Sequence, residues 1–280
     1  MTLAQRMKEL CQIYDLHPSR SKGQNFLVTE SVYDDIVAAA ELDKKDTVLE
    51  VGPGLGFLTA RLAKEAGQVV AVELDDKISA LLQIALDSQT VENVTLLNQD
   101  ILRFNPSDLP AAYKIVANLP YNISSIFLRT FLEQKNYPER MVLLLQKEVA
   151  ERLLAKPGGM NLLALSVQFY SQPEIIRLVK SGNFWPEPKV DSALVRLKLD
   201  SSRSDGYSDS EKKAFFRLAR VGFSAKRKML KNNLAAGLGI DLTLAIELLK
   251  SANLPLQVRA EDLSLDDWQK LFATARSFVL

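Results

Sequence analysis

The 280-residue chain has very little from which to build metal or disulfide chemistry: one cysteine, Cys11, and one histidine, His17. A single thiol cannot close an internal disulfide, which agrees with a reducing compartment. Cys11 and His17 cannot make a zinc site between them, and a Ser/His triad built on His17 has no supporting motif. No apolar run approaches the roughly 18 residues of a membrane span. The opening stretch, MTLAQRMKELCQIYDL, carries charges every few positions, where a secretory leader needs an apolar core. Together these absences lead us to expect a cytoplasmic protein with no membrane association and no metal. Internal repeats and extended low-complexity segments are also missing, and the net charge is only +1. Hydrophobic residues at 47% and charged residues at 25% suit one large domain, or a domain with an appendage, that buries an ordinary core.

What the chain does have is alternation. Short aliphatic or β-branched runs occur at 47–51, 68–73, 94–98, 114–118 and 140–145, separated by helical patterns at 57–65, 75–86, 123–133 and 147–154. This is the pattern of a parallel sheet covered by helices on both faces. A helix capped by Thr29 or Ser31 precedes the first strand, and a helix over 161–170 with strands near 175–179 and 193–199 completes the sheet. The turn-rich stretch DSSRSDGYSDS, 200–210, is the best boundary, with only helical patterns beyond it. The expected organisation is a Rossmann-like α/β domain over 1–200, a linker over 201–210 and a small all-helical domain over 211–280. From Glu211 to Lys231 eight basic residues face one acidic residue, interleaved with Phe215, Phe216, Phe223 and Met229. Such a run is either a solvated helix face or a phosphate-binding surface.

Chemistry is concentrated after the strands, where open α/β sheets bind their ligands. The first strand runs into EVGPGLGFLT, whose Gly52, Gly54 and Gly56 let backbone approach a ligand. Position 57 is phenylalanine, so the dinucleotide pattern G-x-G-x-x-G is broken. Glu73 ends the second strand, where a carboxylate can accept both hydroxyl hydrogens of a ribose. Asp100 follows the third, placed either to bond an adenine amine or to cap a turn, and the fourth runs into Asn118, Leu119, Pro120 and Tyr121. Four such features in order on consecutive strand ends suggest S-adenosylmethionine.

Over essentially its whole length the chain resembles the small-subunit ribosomal RNA adenine N6-dimethyltransferases, the KsgA type. The resemblance rests on GQNFL at 23–27, EVGPGLGFLT at 50–59, VELD at 72–75, QD at 99–100, NLPYNIS at 118–124, LQKEVAERL at 145–153, FWPEPKVDSALVRL at 184–197 and FSAKRKMLKNNL at 223–234. It implies an S-adenosylmethionine-dependent enzyme with Asn25 and Leu27 beside the cofactor, together with Gly52, Glu73, Asp100 and Asn118. It also implies that Phe184 stacks on the target base, and that two methyl groups go to each of two adjacent adenosines near the 3′ end of small-subunit rRNA during subunit assembly. Adenine's exocyclic amine is a poor nucleophile because its lone pair is delocalised into the ring, so the enzyme's task is orientation. The Asn118 side-chain carbonyl and the backbone carbonyl of Leu119 or Pro120 can each take one amine N–H and aim the lone pair at the methyl carbon. Tyr121 offers a face for the extruded base.

We further expect Arg220, Lys226, Arg227, Lys228 and Lys231 to grip RNA phosphates and the protein to act as a monomer. Trp185 receives no role, and Lys189 and Asp191 read as a local ion pair or turn. Two rivals share part of this pattern: a large-subunit methylase of the erythromycin-resistance type, and a ribosome-assembly or nucleic-acid-binding factor with little catalysis.

Overall fold

A computed structural model describes residues 1–18, 24–88, 90–200, 202 and 204–279. The chain forms two compact units, Met1–Ala150 with Pro173–Leu199, and Glu151–Gln172 with Asp200–Leu280.

The first unit opens with α1 (Leu3–Ile13), started by a capping box in which Thr2 and Gln5 exchange hydrogen bonds. In chain order follow β1 (Phe26–Leu27), α2 (Glu30–Ala40), β2 (Thr47–Val51), α3 (Thr59–Glu65), β3 (Gln68–Glu73), α4 (Asp76–Ser88), β4 (Val94–Asn98), β5 (Lys114–Asn118), α5 (Ser124–Leu132), β6 (Arg140–Gln146), α6 (Lys147–Leu153), α7 (Leu162–Tyr170), β7 (Ser171–Val179), β8 (Phe184–Trp185) and β9 (Ser192–Leu199). Seven strands form one sheet in the order β4-β3-β2-β5-β6-β9-β7, and β1 and β8 form a separate two-stranded ladder. The runs TVLEV and KIVAN are covered on both faces, which is why they read as continuous apolar segments with no alternation.

Two expectations need correction. The sheet is mixed: β9 inserts antiparallel beside β6, pairing Arg140 with Lys198 and Gln146 with Ser192. Helix α7, expected in the sheet domain, belongs to the second unit, so a cut at residue 200 misses Glu151–Gln172. The reason is aromatic packing. Phe169 stacks on Phe215 at a centroid distance of 4.8 Å and meets Phe216 edge-on at 5.2 Å.

Helices α8 (Asp209–Gly222), α9 (Leu230–Leu238), α10 (Leu242–Ser251) and α11 (Leu265–Val279) complete the second unit. A second capping box, Ser208 with Glu211, starts α8 inside the stretch expected as linker. Tyr207 packs against Phe169, Phe215 and Phe272, so that stretch is anchored. Ser201 and Arg203, within the same stretch, lie outside the described residues. Among the described residues no helix is long and apolar enough to cross a membrane.

Candidate active site

Parallel register brings the candidate residues to one edge of the sheet. Val51 pairs with Val72 on one side and Ala117 on the other, and Glu73 pairs with Asn98. Gly52, Glu73 and Asn118 therefore emerge side by side at the carboxyl ends of β2, β3 and β5. The strand order reverses between β2 and β5, and the crevice opens there.

The glycine loop requires glycine on conformational grounds. Gly52 and Gly54 sit at φ of +66° and +58°, and a Cβ on Gly54 would lie 3.0 Å from the Phe26 ring. Its backbone N–H donates to Glu73 Oε2 at 3.2 Å, and the Asp75 N–H donates to Oε1 at 3.0 Å. Burial raises the Glu73 pKa while these N–H donors pull it down. A cavity of about 40 Å³ is lined by Met7, Phe26, Leu27, Gly52, Gly54 and Asn118, among others. The structure thus brings Leu27, Gly52, Gly54, Glu73 and Asn118 together.

Asn118 is held at one end only. Its Nδ2 donates to the backbone carbonyl of Asn25 at 3.1 Å, so Oδ1 remains as the acceptor. Asn25 Oδ1 is itself buried with no hydrogen-bond partner among the described residues. The Pro120 carbonyl accepts from the Ile123 N–H at 3.2 Å and the Ser124 hydroxyl at 3.4 Å. That engagement points to Leu119, whose side chain is buried, as the source of the second backbone acceptor. Tyr121 is half-buried, with its hydroxyl 2.9 Å from Ser192 Oγ on β9. Gly23 of the GQNFL stretch lies outside the described residues.

Three further residues singled out in the sequence are engaged within the protein. Phe184 is 4% exposed and packs in the core with Leu27, Tyr33, Ile36 and Leu144, so its ring is covered by protein in this structure. A fully apolar side chain on β8 gains more from that core than from a wet cleft. Asp100 caps the turn Ile101–Arg103 through Oδ1, accepting from the Leu102 N–H at 2.9 Å, one of the two roles expected of it. Asp191 pairs with Lys180 at 2.9 Å and accepts from the Ser181 N–H at 3.0 Å; the expected partner, Lys189, is not involved in that bridge.

In the second unit the basic run divides by side. Lys213, Arg217 and Arg220 are exposed along α8, while Phe215 and Phe216 are buried and Phe223 stacks on Trp268. The interleaved aromatics are therefore the helix's inner face, and the outer face carries charge without stacking platforms. Lys226, Arg227 and Lys228 are exposed in the turn before α9, and Lys231 is half-buried in its first turn.

Sequence reading missed two residues of the site. Ser192 tethers Tyr121, although it stands in the run PKVDS at 188–192. Glu50 is 1% exposed, lines the same cavity and has no partner at full hydrogen-bond geometry among the described residues; burial pushes its pKa up to about 8 against a downward pull from the Thr59 hydroxyl. A carboxylate inside the apolar run VLEV was the available signal.

A glycine loop, a buried carboxylate and a polar turn on neighbouring strand ends of this sheet define an S-adenosylmethionine-dependent methyltransferase. The family model described as "Ribosomal RNA adenine dimethylase" matches residues 17–276. The chain is 46% identical over 275 residues to "Ribosomal RNA small subunit methyltransferase A" of Dehalococcoides mccartyi (strain CBDB1), covering 96% of this chain and 92% of that protein. It is 44% identical to the protein of the same name from Desulfitobacterium hafniense (strain DSM 10664 / DCB-2), over 89% of each. Among solved structures, a dimethyladenosine transferase from Plasmodium falciparum superposes with a TM-score of 0.81 at 24% identity, covering 90% of this chain and 98% of that one. The 23S rRNA methyltransferase ErmE gives 0.71 at 26% identity, covering 89% and 99%. The chain belongs to the ribosomal RNA adenine dimethylase family.

Proposed function

We propose that this chain dimethylates the N6 amines of two adjacent adenosines near the 3′ end of small-subunit (16S) rRNA in the assembling small subunit, as a cytoplasmic monomer. The 46% identity to a small-subunit enzyme, against 26% to a 23S enzyme, supports the choice of target over the large-subunit rival. The cofactor supplies an electrophilic methyl carbon on a sulfonium centre. The residues present suit it: Glu73 for the ribose hydroxyls, the glycine loop for close backbone approach, Leu27 as an apolar wall, and Asn25 Oδ1, an acceptor with no partner among the described residues, for a donor group. Asp100, whose Oδ1 caps its turn, offers Oδ2 to the adenine amine.

The observation that carries the chemistry is the orientation of the Asn118 amide. With Nδ2 donating to Asn25, Oδ1 is left to accept one N–H of the target amine, and the Leu119 carbonyl accepts the other. Two acceptors on two N–H bonds favour a pyramidal nitrogen with its lone pair directed at the methyl carbon. Pro120 fixes the turn through its locked φ, and Tyr121, tethered by Ser192, stacks on the base. After transfer the amine is acidic enough to release its proton to water along these carbonyls, so no histidine is required. In the second unit, Arg220, Lys226, Arg227, Lys228 and Lys231 bind phosphates.

The reading is tested by labelled methyl transfer to isolated small and large ribosomal subunits from cells lacking the gene. We expect four methyl groups per small subunit and none on the large. Binding to precursor particles without transfer would leave the assembly-factor reading standing in its place.

A further inference from the structure

We propose that Trp185 and Lys8 form a second base site that holds the nucleotide flanking the target adenosine. This rests on the RNA-methylation reading and deepens it by naming where the neighbouring nucleotide goes. The first ground is the alternation of side chains along β8. Phe184 turns into the core, and Trp185, next in the chain, is left half-exposed on the other side. The second ground is register. Trp185 pairs with Phe26, and Asn25, immediately before Phe26, accepts the Asn118 hydrogen bond through its carbonyl. The backbone of Trp185 is therefore one strand spacing, about 5 Å, beyond the strand that touches the adenine clamp.

The third ground is the recess itself. An open hollow of about 660 Å³ is lined by Lys8, Cys11, Leu16, His17, Trp185 and Pro186, among others. This is ample for a nucleobase, with an apolar floor, an aromatic wall and a basic rim. Lys8 Nζ hangs over the indole ring 5.9 Å from its centroid and makes no ion pair among the described residues. Its exposed side chain exchanges the ring for a phosphate by a change of rotamer alone. The one carboxylate in the recess, Asp15, is offset by Lys77 at 3.9 Å and lies 3.3 Å from His17 Nε2. Bases stack on exposed aromatic side chains without regard to sequence, so such a site steadies the strand while the neighbouring adenine is extruded.

The test uses the whole enzyme with small-subunit particles, and a short single-stranded RNA containing two adjacent adenosines, with or without an abasic position beside the first. Trp268 is fully buried, so acrylamide-quenchable emission reports Trp185. RNA is expected to protect that emission, and the abasic RNA to protect it less. Trp185 packs against the cluster of Cys11, Leu16 and Ile78, so Trp185→Leu keeps apolar packing there but cannot stack, and is expected to raise KM for particles about tenfold, with most of the effect in KM. Trp185→Phe should restore most of it, and S-adenosylhomocysteine should bind both variants like the parent. Lys8→Ala should flatten the salt dependence of RNA binding by about 0.7 in log–log slope. Unprotected emission overturns the proposal, as does a wild-type KM for the leucine variant or an equal loss of S-adenosylhomocysteine binding in both variants. Failure of the parent enzyme to methylate small-subunit particles would instead overturn the functional reading.

Discussion

The Asn118 amide suits two jobs: its nitrogen holds the Asn25 backbone, which leaves its oxygen to accept from the target amine. The two separate under mutation. Asn118→Ala is expected to lower single-turnover methylation by about a hundredfold or more, the scale of one preorganised polar contact, with S-adenosylhomocysteine affinity falling only modestly. Near-normal turnover would remove the clamp from the mechanism. Glu73→Ala should cost about 1.5–3 kcal/mol of cofactor affinity, the worth of a hydrogen bond to a charged group, measured by calorimetric titration; an unchanged Kd would mean that the ribose assignment is wrong. Glu50 gives a pH prediction. Its folded pKa of about 8 lies above the ordinary carboxyl value, so its contribution to stability is complete below that ordinary value. It is lost as pH rises, because the unfolded state gives up the proton first. Between the ordinary carboxyl range and about pH 8, stability should fall by up to about 1.4 kcal/mol per pH unit from this group. Urea unfolding across that range should show the slope in the parent and a flatter profile in Glu50→Gln.

At the scale of elements, the site depends on what anchors the opposite end of the strands. Lys114 starts β5, nearly buried, and bonds Asp46 at 2.8 Å and the Glu41 carbonyl at 2.7 Å. Lys114→Ala leaves Asp46 without its principal cation and is expected to cost about 3–5 kcal/mol in urea unfolding, the range for breaking a buried pair; a cost under about 1 kcal/mol would show the pair to be solvated. Elements of this kind were legible where local pattern decides them. The ends of β2, β3, β4 and β5 agree with the expected runs because each is a short aliphatic segment bounded by turn residues, and with them came Gly52, Glu73 and Asn118. Pairing between distant segments was not legible. The insertion of β9 beside β6 and the β1–β8 ladder are set by register, which leaves no mark in either strand alone. The same limit explains Phe184 and Trp185: adjacent aromatics look alike in sequence, and only the ladder decides which one faces the core. Helix α1 left no clear pattern because Gln5, Arg6, Lys8, Glu9 and Gln12 interrupt its apolar residues, leaving a narrow buried stripe of Met7 and Cys11.

At the scale of the whole molecule, near-zero net charge hides a strong local imbalance, with eight basic residues against one acidic between 211 and 231. If the exposed turn binds single-stranded phosphates, replacing Lys226, Arg227 and Lys228 together by alanine should flatten the salt dependence of RNA affinity by about 0.7 for each phosphate no longer neutralised. Cofactor affinity should stay at the parent value; an unchanged salt slope would move the RNA surface elsewhere. The fold also bears on how the protein is made. Because β9 lies between β6 and β7, translation delivers both flanking strands before the one that joins them. A nascent chain halted short of Ser192 carries open hydrogen-bonding edges, the kind of surface to which chaperones bind and on which chains aggregate. Ribosome-stalled fragments ending before that residue should therefore be captured by holdases and digested quickly, and resistance to protease should appear only once Leu199 has cleared the exit tunnel.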